Sequence, residues 1–269
     1  MSIINNLDRD ALRKSYQAAR PFPHMVVDNF LAPEAAVAAA GSFFSFDEAR
    51  ARGFEFKAVN ENLKIQITDP SKFPPAIAKL ADALSSPEFI RDLSYISGID
   101  NLVWDPTYSG GGMHQTAKSG WLDVHVDFNY NEALQMHRRL NILVYLNPVW
   151  EEGWGGLLEL WDPEVQHCGQ RVVPSFNRCA VFSTSAISFH GVTAVTCPDG
   201  KQRCSFAAYY YTREAPAGWD GTKHSTIFKA RPDEYLKKHV LMPAEAAKRA
   251  AGRGIGALKG GIKKMVGRD

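Results

Sequence analysis

From Asn101 onward the chain runs in short stretches of Val, Leu, Tyr and Trp, broken at Ser109-Gly110-Gly111-Gly112, Gly153-Trp154-Gly155-Gly156 and Pro198-Asp199-Gly200. Apolar runs of strand length between glycine and proline turns predict many short strands, which pack as a β-sandwich or a jelly roll. The first hundred residues read differently. A polar helix is expected up to Arg20, ended by Pro21-Phe22-Pro23, with a short strand over His24 to Phe30. Pro33 opens an alanine-rich helix to about Phe44, since proline suits a first helical turn. Two more helical patterns follow, Pro74 to about Leu84 and Pro87 to about Ser97. After Pro216 the strand pattern stops, and from Pro243 the chain is rich in glycine, alanine and lysine. The expected architecture is mainly β with flanking helices, in one domain. Residues 1–100 give a strand and supporting helices, 101–215 the β core, and 216–269 an extension ending in a basic tail.

A length of 269 residues is enough for one sizeable core. The net charge of +2, from 31 basic and 29 acidic residues, gives no global attraction to nucleic acid, and no such partner is expected. Cys168, Cys179, Cys197 and Cys204 form no C-x-x-C pair, which argues against a zinc ribbon or a thioredoxin-type site, and they read as reduced structural thiols. The opening MSIINNLDRDALRKSY lacks the apolar core of a signal peptide, and no run approaches the roughly 18 apolar residues of a membrane span. The expected location is cytoplasmic.

Candidate chemistry begins at Trp121-Leu122-Asp123-Val124-His125-Val126-Asp127-Phe128-Asn129, where apolar and polar residues alternate as on a strand of period two. His125 and Asp127 then share a face, and an imidazole beside a carboxylate supplies two adjacent corners of an octahedral metal site. A solvent-facing pair reads the same way, so the assignment depends on a third ligand. His190 is the candidate, at the end of the β-prone run Ser185-Ala186-Ile187-Ser188-Phe189 and just before Gly191. Thirteen residues further on, Arg203-Cys204-Ser205 places a guanidinium and a hydroxyl on one strand face. A planar fork of donors beside a hydroxyl suits a carboxylate ligand better than a neutral one.

Through His125-x-Asp127, distal His190 and Arg203-x-Ser205, the sequence resembles the prolyl-hydroxylase-like branch of the iron(II)/2-oxoglutarate-dependent dioxygenases over roughly Tyr108 to Arg213. The resemblance implies a double-stranded β-helix, or jelly roll, with the metal inside one open end. It also implies iron(II) held by His125, Asp127 and His190, with 2-oxoglutarate as cosubstrate, O2 as oxidant and ascorbate as a candidate reductant. By position, Tyr145 matches the tyrosine that hydrogen-bonds the distal carboxylate of 2-oxoglutarate, and Leu158 the apolar wall beside it. Asn141 shares Tyr145's strand face. Gln115, after the triple glycine, stands where the family usually has a tyrosine and is the loosest candidate for a cosubstrate contact. The remaining histidines, His24, His137, His167, His224 and His239, fall outside the pattern.

The implied reaction hydroxylates an unactivated C–H bond of a peptidyl, amino-acid or saccharide substrate and releases succinate and CO2. Phe54 to Asp69, Phe128 to His137 and Glu214 to His224 are the segments expected to select that substrate, because substrate-binding loops lie outside the shared core. A cupin-type metal-binding protein and a zinc hydrolase are the alternatives. Arg203-x-Ser205 argues against the first, and the second lacks a nominated general base. One motif stands apart from this chemistry. Lys248, Arg249, Arg253, Lys259, Lys263, Lys264 and Arg268 flank an apolar stripe of Ile255, Leu258, Ile262 and Met265, the pattern of a peripheral helix on an anionic membrane face.

Overall fold

The computed structural model describes residues 3–243, so the basic tail from Lys248 lies outside the described residues. In chain order the elements are α1 (Arg9–Ala18), β1 (His24–Val27), α2 (Pro33–Ala40), α3 (Phe46–Arg52), β2 (Phe54–Ala58), β3 (Glu61–Ile67), α4 (Pro75–Leu84) and α5 (Pro87–Ser97). They continue with β4 (Val103–Trp104), β5 (Gly112–Val126), β6 (Tyr130–Asn131), β7 (Met136–Tyr145), β8 (Leu158–Trp161), β9 (Cys168–Val172), β10 (Arg178–Ser183), β11 (His190–Val192), β12 (Gln202–Thr212) and β13 (Ile227–Phe228). No helix among the described residues is long and apolar enough to cross a membrane.

The helices start where local chemistry allows. Pro33, Pro75 and Pro87 occupy first turns, where the missing N–H costs nothing. Ser45 and Glu48 form a capping box that starts α3, a helix the sequence pattern did not show. Gly98 closes α5 in the left-handed region, at φ 72°.

The strands form one antiparallel sheet in the order β1-β10-β7-β12-β5-β11-β8-β9, with β3 added to β5 and β2 to β3. Leu158 and Leu160 of β8 pack on Tyr145 of β7 and Phe182 of β10, strands well separated in that order. The sheet therefore curls over into a nearly closed jelly-roll barrel. Along β7, Leu140, Ile142 and Val144 face outward into the main core, while Asn141 and Leu143 face the cavity within. Along β12, Phe206, Ala208 and Tyr210 join the same outer core, which α1, α2, α4 and α5 complete. This is period-two alternation with one face under helices and the other around the site.

Three expectations need correcting. Residues 1–100 contribute not one strand but three to the sheet, because β2 and β3 form a hairpin over 54–67 that extends the sheet beyond β5. Strands also continue past Pro216, since β13 pairs with β5 at Ile227↔Val126 and Phe228↔His125. The alternation across residues 121–129 is broken as well. A bulge sets Leu122 to His125 on β5 against only His190 to Val192 on β11. Leu122, His125 and Asp127 line the cavity while Asp123 turns outward, as bulges beside functional sites commonly re-aim side chains.

Candidate active site

His125 at the end of β5, Asp127 just beyond it and His190 at the start of β11 bring one donor atom each to within 4.8 Å of one another. Antiparallel pairing of His190 with His125 makes the two histidines neighbours, with ring centroids 4.3 Å apart. Each ring is oriented from behind. His125 Nδ1 lies 2.8 Å from the carbonyl oxygen of Asp123, and His190 Nδ1 lies 3.0 Å from that of Ser188. A carbonyl only accepts, so both Nδ1 atoms carry the proton and both Nε2 lone pairs face the site. These Nε2 atoms lie 3.5 and 3.4 Å from the Asp127 carboxylate.

Three electron-pair donors facing one another in a buried place call for a cation. A proton on His190 does not supply it easily, because burial and the neighbouring His125 push its pKa from 6.5 down to about 3. Burial would raise the Asp127 carboxyl, but Arg138 and the two histidines hold it well below the ordinary carboxylate range. Arg138 Nη2 lies 3.1 Å from Asp127 Oδ2, and Asn141 Nδ2 donates to the same oxygen at 2.8 Å. Arg138 Nε in turn donates to Asn141 Oδ1 at 2.9 Å, and its guanidinium lies 3.5 Å over the Tyr209 ring. The carboxylate is thus ionised and fixed before any ligand arrives.

The cavity holding these groups has a volume of about 360 Å³ and extends to Leu143, Leu158 and Arg203. Arg203 is 4 % exposed, although a guanidinium is costly to bury alone. Its Nε donates to the Gly156 carbonyl at 2.7 Å, and its guanidinium carbon stands 5.1 Å from the Tyr145 ring centroid. Gly156 has φ +66°, and a Cβ there would sit 2.9 Å from Arg203 Cδ, so glycine makes room for the arginine. Tyr145 and Ser205 pair in register on β7 and β12, next to Arg203. Arg203 Nη2, Tyr145 OH and Ser205 Oγ are all buried without a hydrogen-bond partner. Three adjacent groups able to donate suit a carboxylate.

Gln115 does not belong to this group. Its side chain points away from the cavity and donates to Phe44 O at 2.8 Å and Gln202 Oε1 at 2.9 Å. The neighbouring His114 lines the cavity instead, donating from Nε2 to the carbonyls of Gly110 and Gly111 at 3.1 and 3.3 Å. Sequence reasoning missed Arg138 and Phe228, whereas Phe56, Glu61, Lys64 and Gln66, which form a cavity wall, fall within the segment Phe54 to Asp69 expected to select substrate. Strict alternation puts Arg139, not Arg138, on the face of Asn141 and Tyr145. A register shift opposite Tyr210 and Tyr211 reverses this.

A family model described as the 2OG-Fe(II) oxygenase superfamily matches residues 91–211. These residues thus match a 2OG-Fe(II) oxygenase domain. A mouse relative, prolyl 3-hydroxylase OGFOD1, is 28 % identical over 205 residues, 71 % of this chain, although the match spans only 33 % of the relative's own length. Among solved structures, the fold is similar to that of a Trichoplax adhaerens prolyl hydroxylase in complex with a hypoxia inducible factor peptide fragment, at TM-score 0.54 and 17 % identity, covering 76 % of this chain and 90 % of that one. It is also similar to that of a Pseudomonas putida prolyl-4-hydroxylase, at TM-score 0.51 and 16 % identity, covering 75 % and 99 %. The 2OG-Fe(II) oxygenase family uses iron(II), 2-oxoglutarate and O2. The residues present fit these groups: two imidazoles and a carboxylate suit iron(II), and the orphan donors suit the far carboxylate of 2-oxoglutarate.

Proposed function

We propose that the chain is an iron(II)- and 2-oxoglutarate-dependent dioxygenase that hydroxylates a peptidyl residue, proline being the first candidate. The carrying observation is that His125, Asp127 and His190 share one cavity with Arg203, whose buried Nη2 has no partner and which neighbours the equally unpartnered hydroxyls of Tyr145 and Ser205. A metal-binding protein with no second ligand leaves those donors unsatisfied, at a cost of about 1–3 kcal/mol each. The choice of a peptidyl substrate draws on the prolyl hydroxylases the chain resembles.

In this reading, His125, Asp127 and His190 hold iron(II), leaving positions open for cosubstrate and O2. Iron(II) with 2-oxoglutarate supplies the oxidising chemistry, releasing succinate and CO2 as substrate is hydroxylated. Arg203, Ser205 and Tyr145 bind and orient the far carboxylate of the cosubstrate. Burial first of all keeps the Tyr145 hydroxyl protonated, its pKa pushed up to about 12, so it donates rather than repels. Arg138 and Asn141 keep Asp127 charged and in place, while Leu143, Leu158 and Phe182 exclude water from the interior.

The test is succinate production from 2-oxoglutarate under O2 with added iron(II), together with a 16-Da mass gain on proline-containing peptides. Turnover lost in His125→Ala, Asp127→Ala and His190→Ala alike is expected, and full turnover in any one of them removes that residue from the ligand set. A cytoplasmic location and contact of the basic tail with an anionic membrane face are further proposals, resting on sequence alone. Each tail cation near such a surface contributes on the order of 1 kcal/mol. The full chain is expected to co-sediment with anionic liposomes more than a chain ending at Met242, and equal partitioning rejects the membrane role.

A further inference from the structure

Behind the two histidines, on the outer wall of the barrel, lies a group of charges that the proposed reaction does not use. Asp123, turned outward by the bulge in β5, is 0 % exposed, and Glu159 of β8 is 2 % exposed. Both carboxylates are tied to the ligand-bearing backbone. The carbonyl of Asp123 is the one that orients His125. Glu159 pairs in register with Gly191, and the next residue, Leu160, pairs with His190.

Arg231, from the chain just after β13, reaches all three strands concerned. Its Nε donates to Glu159 Oε2 at 2.8 Å, its Nη1 lies 3.5 Å from Asp123 Oδ1, and its Nη2 donates to the Val192 carbonyl of β11 at 3.4 Å. Gly191 leaves the room for this, since a Cβ there would lie 3.2 Å from Arg231 Nη2 and 3.1 Å from Val124 backbone atoms. The arginine is itself anchored. Its backbone N–H donates to Glu234 Oε2 at 2.9 Å, the amide of Lys229 donates to Val124 O at 2.8 Å, and Phe228 packs on the His125 ring at 5.4 Å.

We propose that Arg231 is a positioning residue for the metal centre: one guanidinium joins β5, β8 and β11 from outside and so fixes the relative placement of His125 and His190. A planar fork of donors can serve two carboxylates and a carbonyl at once, whereas a lysine ammonium presents a compact point charge. Lys237, at 2.7 Å from Asp123, contacts β5 but neither β8 nor β11. Arg171, 57 % exposed at its side chain, forms its one ion pair among the described residues with Glu159. The inference rests on the metal reading above.

Its test is titration of the chelator-stripped full chain with Co(II), following both affinity and the visible absorption envelope, with near-ultraviolet circular dichroism as a check on folding. Outer-shell partners of metal ligands typically contribute roughly 10–100-fold to metal affinity. Arg231→Gln is expected to lose affinity in that range and to shift the Co(II) envelope. Arg231→Lys should lose about tenfold while staying folded, and so decides the matter where Arg231→Gln does not fold. Arg171→Met, which removes a Glu159 partner without releasing a strand, should match wild type in both readouts. Wild-type affinity and spectrum in the folded Arg231 variants overturn the inference. A wild-type chain that binds no Co(II) overturns the metal reading itself, and this inference with it.

Discussion

At Arg203 a buried guanidinium has one bond, to the Gly156 carbonyl, and one nitrogen with no partner. Removing one side of a buried charge pair typically costs about 3–5 kcal/mol, so Arg203→Ala should raise the 2-oxoglutarate requirement by roughly two orders of magnitude or more. Ser205→Ala removes a neutral donor and should cost roughly tenfold or less. Co(II) affinity should stay at the wild-type value in both variants. An unchanged 2-oxoglutarate requirement in Arg203→Ala would move the carboxylate site elsewhere. Two histidines of the cavity also set a pH dependence. Burial, with Lys64 and Arg203 for His114 and with His125 for His190, depresses both pKa values to about 3. Both are therefore neutral when folded but titrate near 6.5 when unfolded. Their stabilising contribution is complete above about pH 6.5 and is lost as pH falls towards 3, at about 1.4 kcal/mol per pH unit for each group. Urea unfolding of the metal-free chain between pH 7 and 5 should show this slope, and His114→Gln should flatten it by about one proton. A slope unaffected by that substitution rejects the assignment of His114.

Strand-level regularity explains what the sequence disclosed and where it misled. His125, Asp127, His190, Arg203 and Ser205 were legible because each is a polar residue on or beside an apolar strand, with period two setting the faces of His125 with Asp127 and of Arg203 with Ser205, whereas Tyr145 followed only from the family resemblance. Arg138 and Asp123 were not legible, because a register shift in β7 and a bulge in β5 invert the parity at those two positions. No local sequence signal marks either irregularity, since a bulge is decided by what the partner strand offers. The hairpin of β2 and β3 was hidden for a related reason: Phe54-Glu55-Phe56-Lys57-Ala58 alternates, but its pairing with β3 and the edge of β5 is a tertiary fact. Gly191 shows how little slack these elements have. A methyl group there would meet Val124 Cα and N at 3.1 Å, and backbone cannot rotate aside as a flexible side chain can. Gly191→Ala should therefore push β11 away from β5 and weaken metal binding at least as much as Arg231→Lys, with the circular dichroism of the sheet retained. Wild-type Co(II) affinity in Gly191→Ala would show that strand spacing does not control the ligand geometry.

For the molecule as a whole, the central question is whether the first hundred residues decorate the barrel or belong to its fold. The outer faces of β7, β10 and β12 present Leu140, Ile142, Val144, Val181, Phe206 and Tyr210, all covered by a cluster that includes Tyr16, Leu31, Ile77, Leu80, Leu84 and Phe89. Polar anchors cross the same boundary, with Tyr210 donating to Leu84 O at 2.8 Å and Tyr16 bonded to Ser183 Oγ at 2.7 Å. β1 pairs with β10 and β3 with β5, so the amino-terminal region also closes two edges of the sheet. Uncovering a large apolar side chain costs about 1.5–3 kcal/mol, so six of them, about 9–18 kcal/mol, are comparable with the whole of the roughly 5–15 kcal/mol of net stability a domain normally possesses. Exposed edges add a route to aggregation. A chain starting at Asn101 is accordingly expected to be insoluble or to melt without cooperativity. The full chain should unfold in a single transition, with far- and near-ultraviolet circular dichroism coinciding. Should residues 101–269 alone unfold cooperatively and bind Co(II) at wild-type affinity, the helical layer would be an appendage, and the metal centre would depend only on the barrel that carries it.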